Sequence, residues 1–139
     1  MNRTKLIAGV DEVGRGSLVG SVFSSAVILE DNHDIDDLRD SKAISPTKRF
    51  KIAQKIIKNA LSVSIGIATL DEIDKLNIHH ATLLSMKRAI DNLCLKPCKV
   101  YIDGKYKPDI EVDTESIIKG DQKIKEISAA SIIAKVARD

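Results

Sequence analysis

Short apolar runs separated by polar turns predict several β-strands along the chain. The run at 6–13 is apolar until it ends in polar residues, as expected of a buried strand, and the run at 19–29 is rich in Val and Ser. Because only a short turn with glycines at 14 and 16 separates them, we expect an antiparallel pair. Further strands are predicted at 61–68, 99–103 and 115–119.

Helical periodicity predicts a first helix over about 46–60. Ser45 can cap its start, and Pro46 suits the first helical position, where the N–H group has no intrahelical partner. The residues expected on the inner face of this helix are Phe50, Ala53, Ile57 and Ala60.

A second helical region follows the strand predicted at 61–68. Thr69 and Glu72 match a capping box, which predicts a short helix from that point. Asn77 can cap a longer helix over about 78–94, and Pro97 follows the end of that helix. The residues expected to bury the longer helix are Ile78, Ala81, Met86, Ala89 and Leu93.

A last helix is predicted to begin near Asp121. No Gly, Asn or Pro follows it before Asp139, which favours a missing C-terminal segment. Strands and helices in this order predict a single α/β domain over 1–139 with a mixed sheet. The residues expected along one face of the last helix are Ile124, Ile127, Ser131 and Ala134.

The composition is that of an ordinary globular protein of 139 residues, with 43% hydrophobic residues, 30% charged residues and a net charge of +2. No apolar stretch approaches the roughly 20 residues that span a membrane, and the run at 6–10 stops too early for a signal peptide. We therefore expect a cytoplasmic protein in which Cys94 and Cys98 are reduced thiols.

Four carboxylates stand at or just beyond the ends of separate predicted strands. Asp11 and Glu12 end the first strand, Asp103 ends a later one, and Asp121 follows the next. Strand ends at one edge of a sheet can converge, although two unit charges about 4 Å apart repel by about 4 kcal/mol at an effective dielectric of about 20. Either the pKa values of such acids rise or cations enter, and oxygen ligands favour Mg²⁺ or Mn²⁺. Two such ions can activate water in phosphodiester cleavage.

Each acid also has a structural interpretation. Adjacent strand residues point to opposite faces, so Asp11 and Glu12 cannot both reach one site from a regular strand, and one of them can simply be solvated. Asp103 precedes Gly104 and can belong to a turn, and Asp121 can cap the last helix. The set of four, rather than any single member, favours a catalytic site.

The glycines at 14 and 16 can bring backbone amides close to a phosphate or sugar, or can serve only the turn. With Gly20 they give the spacing G-x-G-x-x-x-G, which differs from the G-x-G-x-x-G fingerprint of dinucleotide-binding domains and leaves a nucleotide-cofactor domain as a weaker hypothesis. A lysine stripe on the first helix suits a phosphate backbone or is a solvated face. The stripe consists of Lys48, Lys51, Lys55 and Lys58.

Histidines and tyrosines give weaker signals. His79 and His80 have no partner in the sequence and are interpreted as structural. Tyr101 and Tyr106 flank Asp103 and can touch nucleic acid, although Tyr101, as a strand residue, is expected to pack.

Several motifs in order along the chain carry a family resemblance. The first is IAGVDEVGRG at 7–16, and Asp40-Ser41-Lys42 is the second. The later ones are Glu72-Ile73-Asp74, Asn77-Ile78, His80-Ala81-Thr82, Ile102-Asp103-Gly104, Lys119-Gly120-Asp121 and the segment 127–139. Together they resemble type 2 ribonuclease H, or ribonuclease HII, over essentially the whole chain.

The resemblance implies a ribonuclease H-like fold, a mixed five-stranded sheet flanked by helices. It also implies that Asp11, Glu12, Asp103 and Asp121 are the catalytic, metal-binding carboxylates and that the cofactor is Mn²⁺ or Mg²⁺. The implied substrates are RNA–DNA hybrids and duplex DNA containing ribonucleotides, cut on the 5′ side of a ribonucleotide to leave a 5′-phosphate, by an enzyme that acts as a monomer.

The resemblance further implies a set of residues that bind substrate. Gly14, Arg15 and Gly16 would contact the sugar-phosphate and sense the 2′-OH, which distinguishes RNA from DNA. Ser41 and Lys42 would lie near substrate phosphates.

Members of the family differ from this chain at its end. They continue beyond the position of Asp139 into a helical region, which carries a tyrosine that packs against the sugar at the RNA–DNA junction. Two hypotheses follow: an active endoribonuclease, or a truncated and catalytically inactive remnant that at most binds hybrid duplex.

Overall fold

A computed structural model describes residues 6–13, 20–30 and 44–138. The strands are β1 (Ile7–Val13), β2 (Val22–Ile28), β3 (Ser62–Ala68), β4 (Lys99–Asp103) and β5 (Asp113–Ile117). The helices are α1 (Pro46–Asn59), α2 (Leu70–Asp91) and α3 (Lys125–Arg138), with a 3-10 turn at Gly120–Gln122 before α3. The five strands agree with the sequence prediction to within a few residues.

The sheet is mixed, as predicted, with the strand order β3-β2-β1-β4-β5. β1 pairs antiparallel with β2, and β2 pairs antiparallel with β3. β4 runs parallel to both β1 and β5. Because β1 and β4 are parallel neighbours, their C-terminal ends lie at the same edge of the sheet.

Helices cover both faces of the sheet, and glycines let two of them approach closely. A Cβ added at Gly9 would stand 2.1 Å from the backbone carbon of Glu126, so α3 rests directly on β1. A Cβ at Gly66 would stand 2.1 Å from the backbone oxygen of Ser85, so α2 rests on β3 from the other side. α1 packs beside α3, and Ile56, Val27 and Ile132 form part of their shared core.

The inner face of α1 differs from the sequence prediction. Ile52, Ala53 and Ile56 are buried, whereas Phe50 is 53% exposed and Ile57 is 62% exposed. The apolar residues of α1 form two neighbouring stripes, and helical periodicity cannot tell which stripe meets the sheet. The N-cap was predicted correctly, because the Ser45 hydroxyl accepts a hydrogen bond from the Lys48 N–H at 3.2 Å.

α2 contains both predicted helices, joined through a kink. The capping box of Thr69 and Glu72 is present. Asn77 has non-helical angles, φ 68° and ψ 167°, and its side chain accepts a hydrogen bond from the His80 N–H at 3.0 Å, as expected of an N-cap. Ile78, predicted to be buried, is 41% exposed because it lies in the first turn after the kink.

The start of the last helix also differs from the prediction. α3 begins at Lys125, and Asp121 lies in the preceding 3-10 turn. Among the described residues, no helix is long and apolar enough to cross a membrane.

Candidate active site

Asp11 and Asp103 lie side by side at the edge where β1 and β4 end. The parallel register pairs Val10 with Ile102, and the two aspartates are the next residues along their strands. Neighbouring strands lie about 4.8 Å apart, so consecutive positions on this ladder bring the two side chains together. The predicted convergence of acids from separate strands is therefore present for this pair.

Asp11 is a buried carboxyl group, with only 7% of its surface exposed. Burial is the largest cause that raises its pKa, and the nearby Asp103 adds to it through charge repulsion and a contact between the two carboxyl groups, which together bring the pKa to about 8. A hydrogen bond from the Glu12 N–H to Asp11 Oδ1, at 2.8 Å, acts in the opposite direction on the pKa. Placing the charged form here is therefore costly unless a positive charge enters.

Glu12 reaches the same edge from the other face of the sheet. The strand alternates as the sequence analysis expected, so Gly9 and Asp11 face α3 while Glu12 faces α2. Burial raises the pKa of Glu12, and Asp103 raises it further. Because Asp103 stands at the end of its strand, it influences acids on both faces, so Glu12 is not simply solvated.

Asp121 is buried on the α3 side, with 4% of its surface exposed. The Gly120 N–H donates a hydrogen bond to Asp103 Oδ1 at 2.7 Å, which ties the 3-10 turn to the end of β4. The Ser128 hydroxyl donates to the backbone carbonyl of Asp121. A Cβ added at Gly120 would stand 2.5 Å from Ile127 Cδ1, so only glycine lets the turn approach this closely.

The donor set fits a hard divalent cation in its chemistry. Asp11, Glu12 and Asp103 offer only carboxylate oxygens, and none of them pairs with a lysine or arginine of the described ranges. Within those same ranges, no three His, Cys, Asp or Glu side chains already form a metal-binding group. The acids are therefore neighbours that repel one another rather than a closed coordination shell.

The predicted substrate-binding residues cannot be placed in the same way. Gly14, Arg15, Gly16, Ser41 and Lys42 lie outside the described residues. The described lysines of the α1 stripe, in contrast, are all exposed: Lys48, Lys51, Lys55 and Lys58.

A cleft of about 350 Å³ opens beside the acids, between α2 and the segment after β4. Glu12 and Asp103 line it together with His79 and Tyr106. Sequence reasoning interpreted His79 as structural, because only the fold shows that it contacts Tyr106, 27 positions away. Its position two residues after a predicted N-cap was the available signal. A larger cavity of about 880 Å³, at the end of α2, contains none of the four acids.

A second feature missed by sequence reasoning is the hydroxyl of Ser25. Ser25 pairs with Asp11 across the antiparallel ladder, so the two side chains share a face of the sheet. The residue is fully buried, and its Oγ has no hydrogen-bond partner. The two consecutive serines of β2 gave no signal that one of them would adjoin an acid.

Comparison with known proteins shows the family of the chain. The family model described as Ribonuclease HII matches residues 8–139. The ribonuclease HII of Desulforamulus reducens is 52% identical over 134 residues, which cover 96% of this chain and 68% of that protein. Other curated relatives named ribonuclease HII are 52–56% identical.

Solved structures show the same fold. The ribonuclease H2 of Pyrococcus horikoshii superposes with a TM-score of 0.82 at 29% identity, covering 96% of this chain and 72% of that one. Bst-RNase HIII in complex with Mn²⁺ superposes with a TM-score of 0.73 at 19% identity, covering 96% and 52%.

The chain spans about two thirds of the length of its curated relatives, between 65% and 71%. The family model nevertheless extends over nearly all of its residues, and the relatives exceed half identity across almost the whole chain. The chain belongs to the ribonuclease HII family.

Proposed function

We propose that the chain is a metal-dependent endoribonuclease, which cuts the RNA strand of RNA–DNA hybrids and cuts 5′ to ribonucleotides in duplex DNA. Membership of the ribonuclease HII family, whose members are ribonuclease H endonucleases, supports this activity over an inactive remnant. The single observation that carries the proposal is the buried contact between Asp11 and Asp103, two carboxyl groups that no lysine or arginine of the described ranges compensates.

Divalent metal ions are the expected cofactors, with Mg²⁺ and Mn²⁺ as the candidates. Asp11 and Asp103 would bind or bridge the ions, and Glu12 and Asp121 would complete their coordination. When bound, the ions would supply the Lewis acidity that activates water and stabilises the leaving oxygen. Bst-RNase HIII, which shares the fold, holds Mn²⁺, the ion that such oxygen ligands would accept here.

The residues of this chain would position both the ions and the substrate. The hydrogen bond from the Gly120 N–H fixes one oxygen of Asp103 and so orients this carboxyl group beside Asp11. The Glu12 N–H orients the Asp11 carboxyl in the same way. Such outer contacts fix the direction of metal-binding carboxylates.

Substrate recognition is assigned on the family resemblance. Gly14, Arg15 and Gly16 would follow the sugar-phosphate and sense the 2′-OH, while Ser41 and Lys42 would contact phosphates. We further propose that the protein works in the cytoplasm, as a monomer, in the removal of ribonucleotides from DNA.

Cleavage of a DNA duplex with one ribonucleotide tests this function. We expect the purified chain to cut 5′ to the ribonucleotide in Mg²⁺ or Mn²⁺, to leave a 5′-phosphate, and to stop in EDTA. Asp103→Asn should abolish cutting, whereas Asp109→Asn, an exposed acid outside the site, should cut normally. Near-normal cutting by Asp103→Asn, or no cutting by a chain that circular dichroism shows to be folded, would contradict the proposal.

A further inference from the structure

Two aromatic rings form one wall of the cleft that contains Glu12 and Asp103. The ring centroids of His79 and Tyr106 lie 4.7 Å apart with their planes at 82°, an edge-to-face contact. Tyr106 is 60% exposed, although it is a large ring beside a cleft. The wall therefore offers a flat, accessible ring face next to the acids.

Two unusual backbone conformations direct these rings toward each other. Asn77, with φ 68°, separates the two segments of α2 and stands two residues before His79. Gly104, with φ 115°, turns the chain after β4 toward Tyr106. A Cβ added at Gly104 would meet no atom within 4 Å, so the backbone angle, and not crowding, requires the glycine. Such conformations concentrate at functional sites.

The ring pair is not needed to hold the segment after β4 in place. The Gly104 N–H donates to the Ile117 carbonyl at 2.9 Å, and the Lys107 ammonium donates to the Thr114 carbonyl at 2.9 Å. The Ser116 hydroxyl donates to the backbone of the same segment at 3.2 Å. These bonds anchor the segment to β5, which leaves the exposed rings available for another contact.

We propose that His79 and Tyr106 form a stacking wall that holds one nucleoside of the substrate strand beside the scissile phosphate. This inference rests on the proposed function, because it takes the adjacent acids as the reacting centre. Aromatic rings bind the flat face of a base or the apolar face of a sugar without reading sequence. Lys105, exposed at the rim of the cleft, places a positive charge where the attached phosphate would pass.

Tyrosine fluorescence tests the contact without requiring catalysis. The chain has two tyrosines and no tryptophan, so Tyr101→Phe leaves Tyr106 as the only strong fluorophore. We would titrate this variant with a DNA duplex containing one ribonucleotide, with Ca²⁺ replacing Mg²⁺ to slow cleavage. Quenching should be half-maximal at the Kd measured by anisotropy of the labelled duplex and should saturate above it. The matched control is Tyr106→Leu. The fluorescence of its remaining Tyr101 should fall only by the amount of exciting light that the nucleic acid absorbs.

Affinity and kinetics give the second readout. Tyr106→Leu should raise both Kd and KM about tenfold, within the range measured for aromatic stacking, and should leave kcat within about twofold. Tyr106→Phe, which keeps the ring, should restore both values. His79→Leu should act in the same direction, and Phe50→Leu, an exposed aromatic on α1, should change neither value.

The outcomes separate this inference from the proposed function. If Tyr101→Phe is quenched and Tyr106→Leu binds more weakly, a base stacks on the wall. If Tyr106→Leu binds more weakly but Tyr101→Phe is not quenched, a sugar packs there. Both results support the wall. Normal cleavage with unchanged KM and Kd in Tyr106→Leu would overturn the wall and leave the nuclease intact. A chain that never cleaves, but shows quenching and the affinity loss, would retain the wall and overturn the nuclease.

Discussion

Replacing Asp11 by Asn should stabilise the metal-free protein at neutral pH. The pKa of Asp11 is about 8 in the folded chain, against 3.8 for an ordinary aspartate. The folded state therefore holds a proton that the unfolded state releases, so the free energy of unfolding falls as pH rises from about 4 to about 8. Asn removes this titration while its Oδ1 can still accept the Glu12 N–H.

The size of the effect follows from the shift. One pKa unit corresponds to about 1.4 kcal/mol, so the charge state of Asp11 costs about 4 kcal/mol of stability at pH 7. An N–H of the Asn side chain can replace the proton that neutral Asp11 donates to Asp103, although the amide does not reproduce the contact between the two carboxyl groups in full. We therefore expect a gain of about 2–4 kcal/mol. Glu12, whose pKa is also raised, contributes a smaller loss with the same sign and remains in the variant.

Urea unfolding in EDTA at pH 5, 7 and 8 measures this directly. The unmodified chain should lose stability steadily over this range, and Asp11→Asn should lose much less. Asp109→Asn, an exposed acid away from the site, should follow the unmodified chain. Adding Mn²⁺ or Mg²⁺ at pH 8 should stabilise the unmodified chain more than Asp11→Asn, because the ions compensate the same charge.

The reasoning would be refuted by an Asp11→Asn variant that is no more stable than the unmodified chain at pH 7 and shows the same dependence on pH. That result would mean that Asp11 is solvated or already compensated in the metal-free protein. The buried contact with Asp103 would then not be the reason for recruiting a cation.

Three further changes test how the site is supported. Gly9→Ala should destabilise the fold by about 3 kcal/mol or more in urea unfolding, because the new methyl would meet the backbone of Glu126 at 2.1 Å; a loss below about 1 kcal/mol would show that α3 can shift. Asn77→Ala should cost about 2 kcal/mol, since it removes a helix cap and keeps an unfavourable φ, and Asn77→Gly should cost less; equal costs would contradict the strain argument. Hydrogen bonds with Arg88 lower the pKa of Glu72 to about 2, so Glu72 contributes stability above its unfolded pKa that is lost as pH falls toward 2. In Glu72→Gln the free energy of unfolding should therefore depend less on pH in that range. An unchanged pH dependence would show that solvent fully screens the pair.

Features defined by local chemistry could be predicted from the sequence. The strand ending at Asp103 and the caps at Ser45, Thr69 and Asn77 follow from residue patterns that act over a few positions, and the structure confirms each of them. The convergence of Asp11 with Asp103 was also predictable, because parallel strand ends share an edge.

Features that depend on distant packing could not be predicted. The prediction of which side of α1 faces the sheet was wrong for Phe50 and Ile57, because these residues are as apolar as the ones that meet the sheet. Asp121 was considered as a helix cap, since nothing local shows that Gly120 is tied to Asp103 across the site. The contact of His79 with Tyr106 joins two segments whose relative position depends on the whole sheet.

The backbone itself marks the edge that carries the acids. Four described residues have positive φ, and two of them, Gly104 and Lys119, flank the acids of β4 and the 3-10 turn. Asn77 borders the cleft, and Gly20 precedes β2 at the edge where β1 ends. The described turn at the opposite edge, between α1 and β3, is made without such conformations. Left-handed backbone conformations and buried carboxyl groups therefore coincide at one edge of an otherwise regular sheet, a combination that is typical of functional sites and supports the proposal that the reaction takes place there.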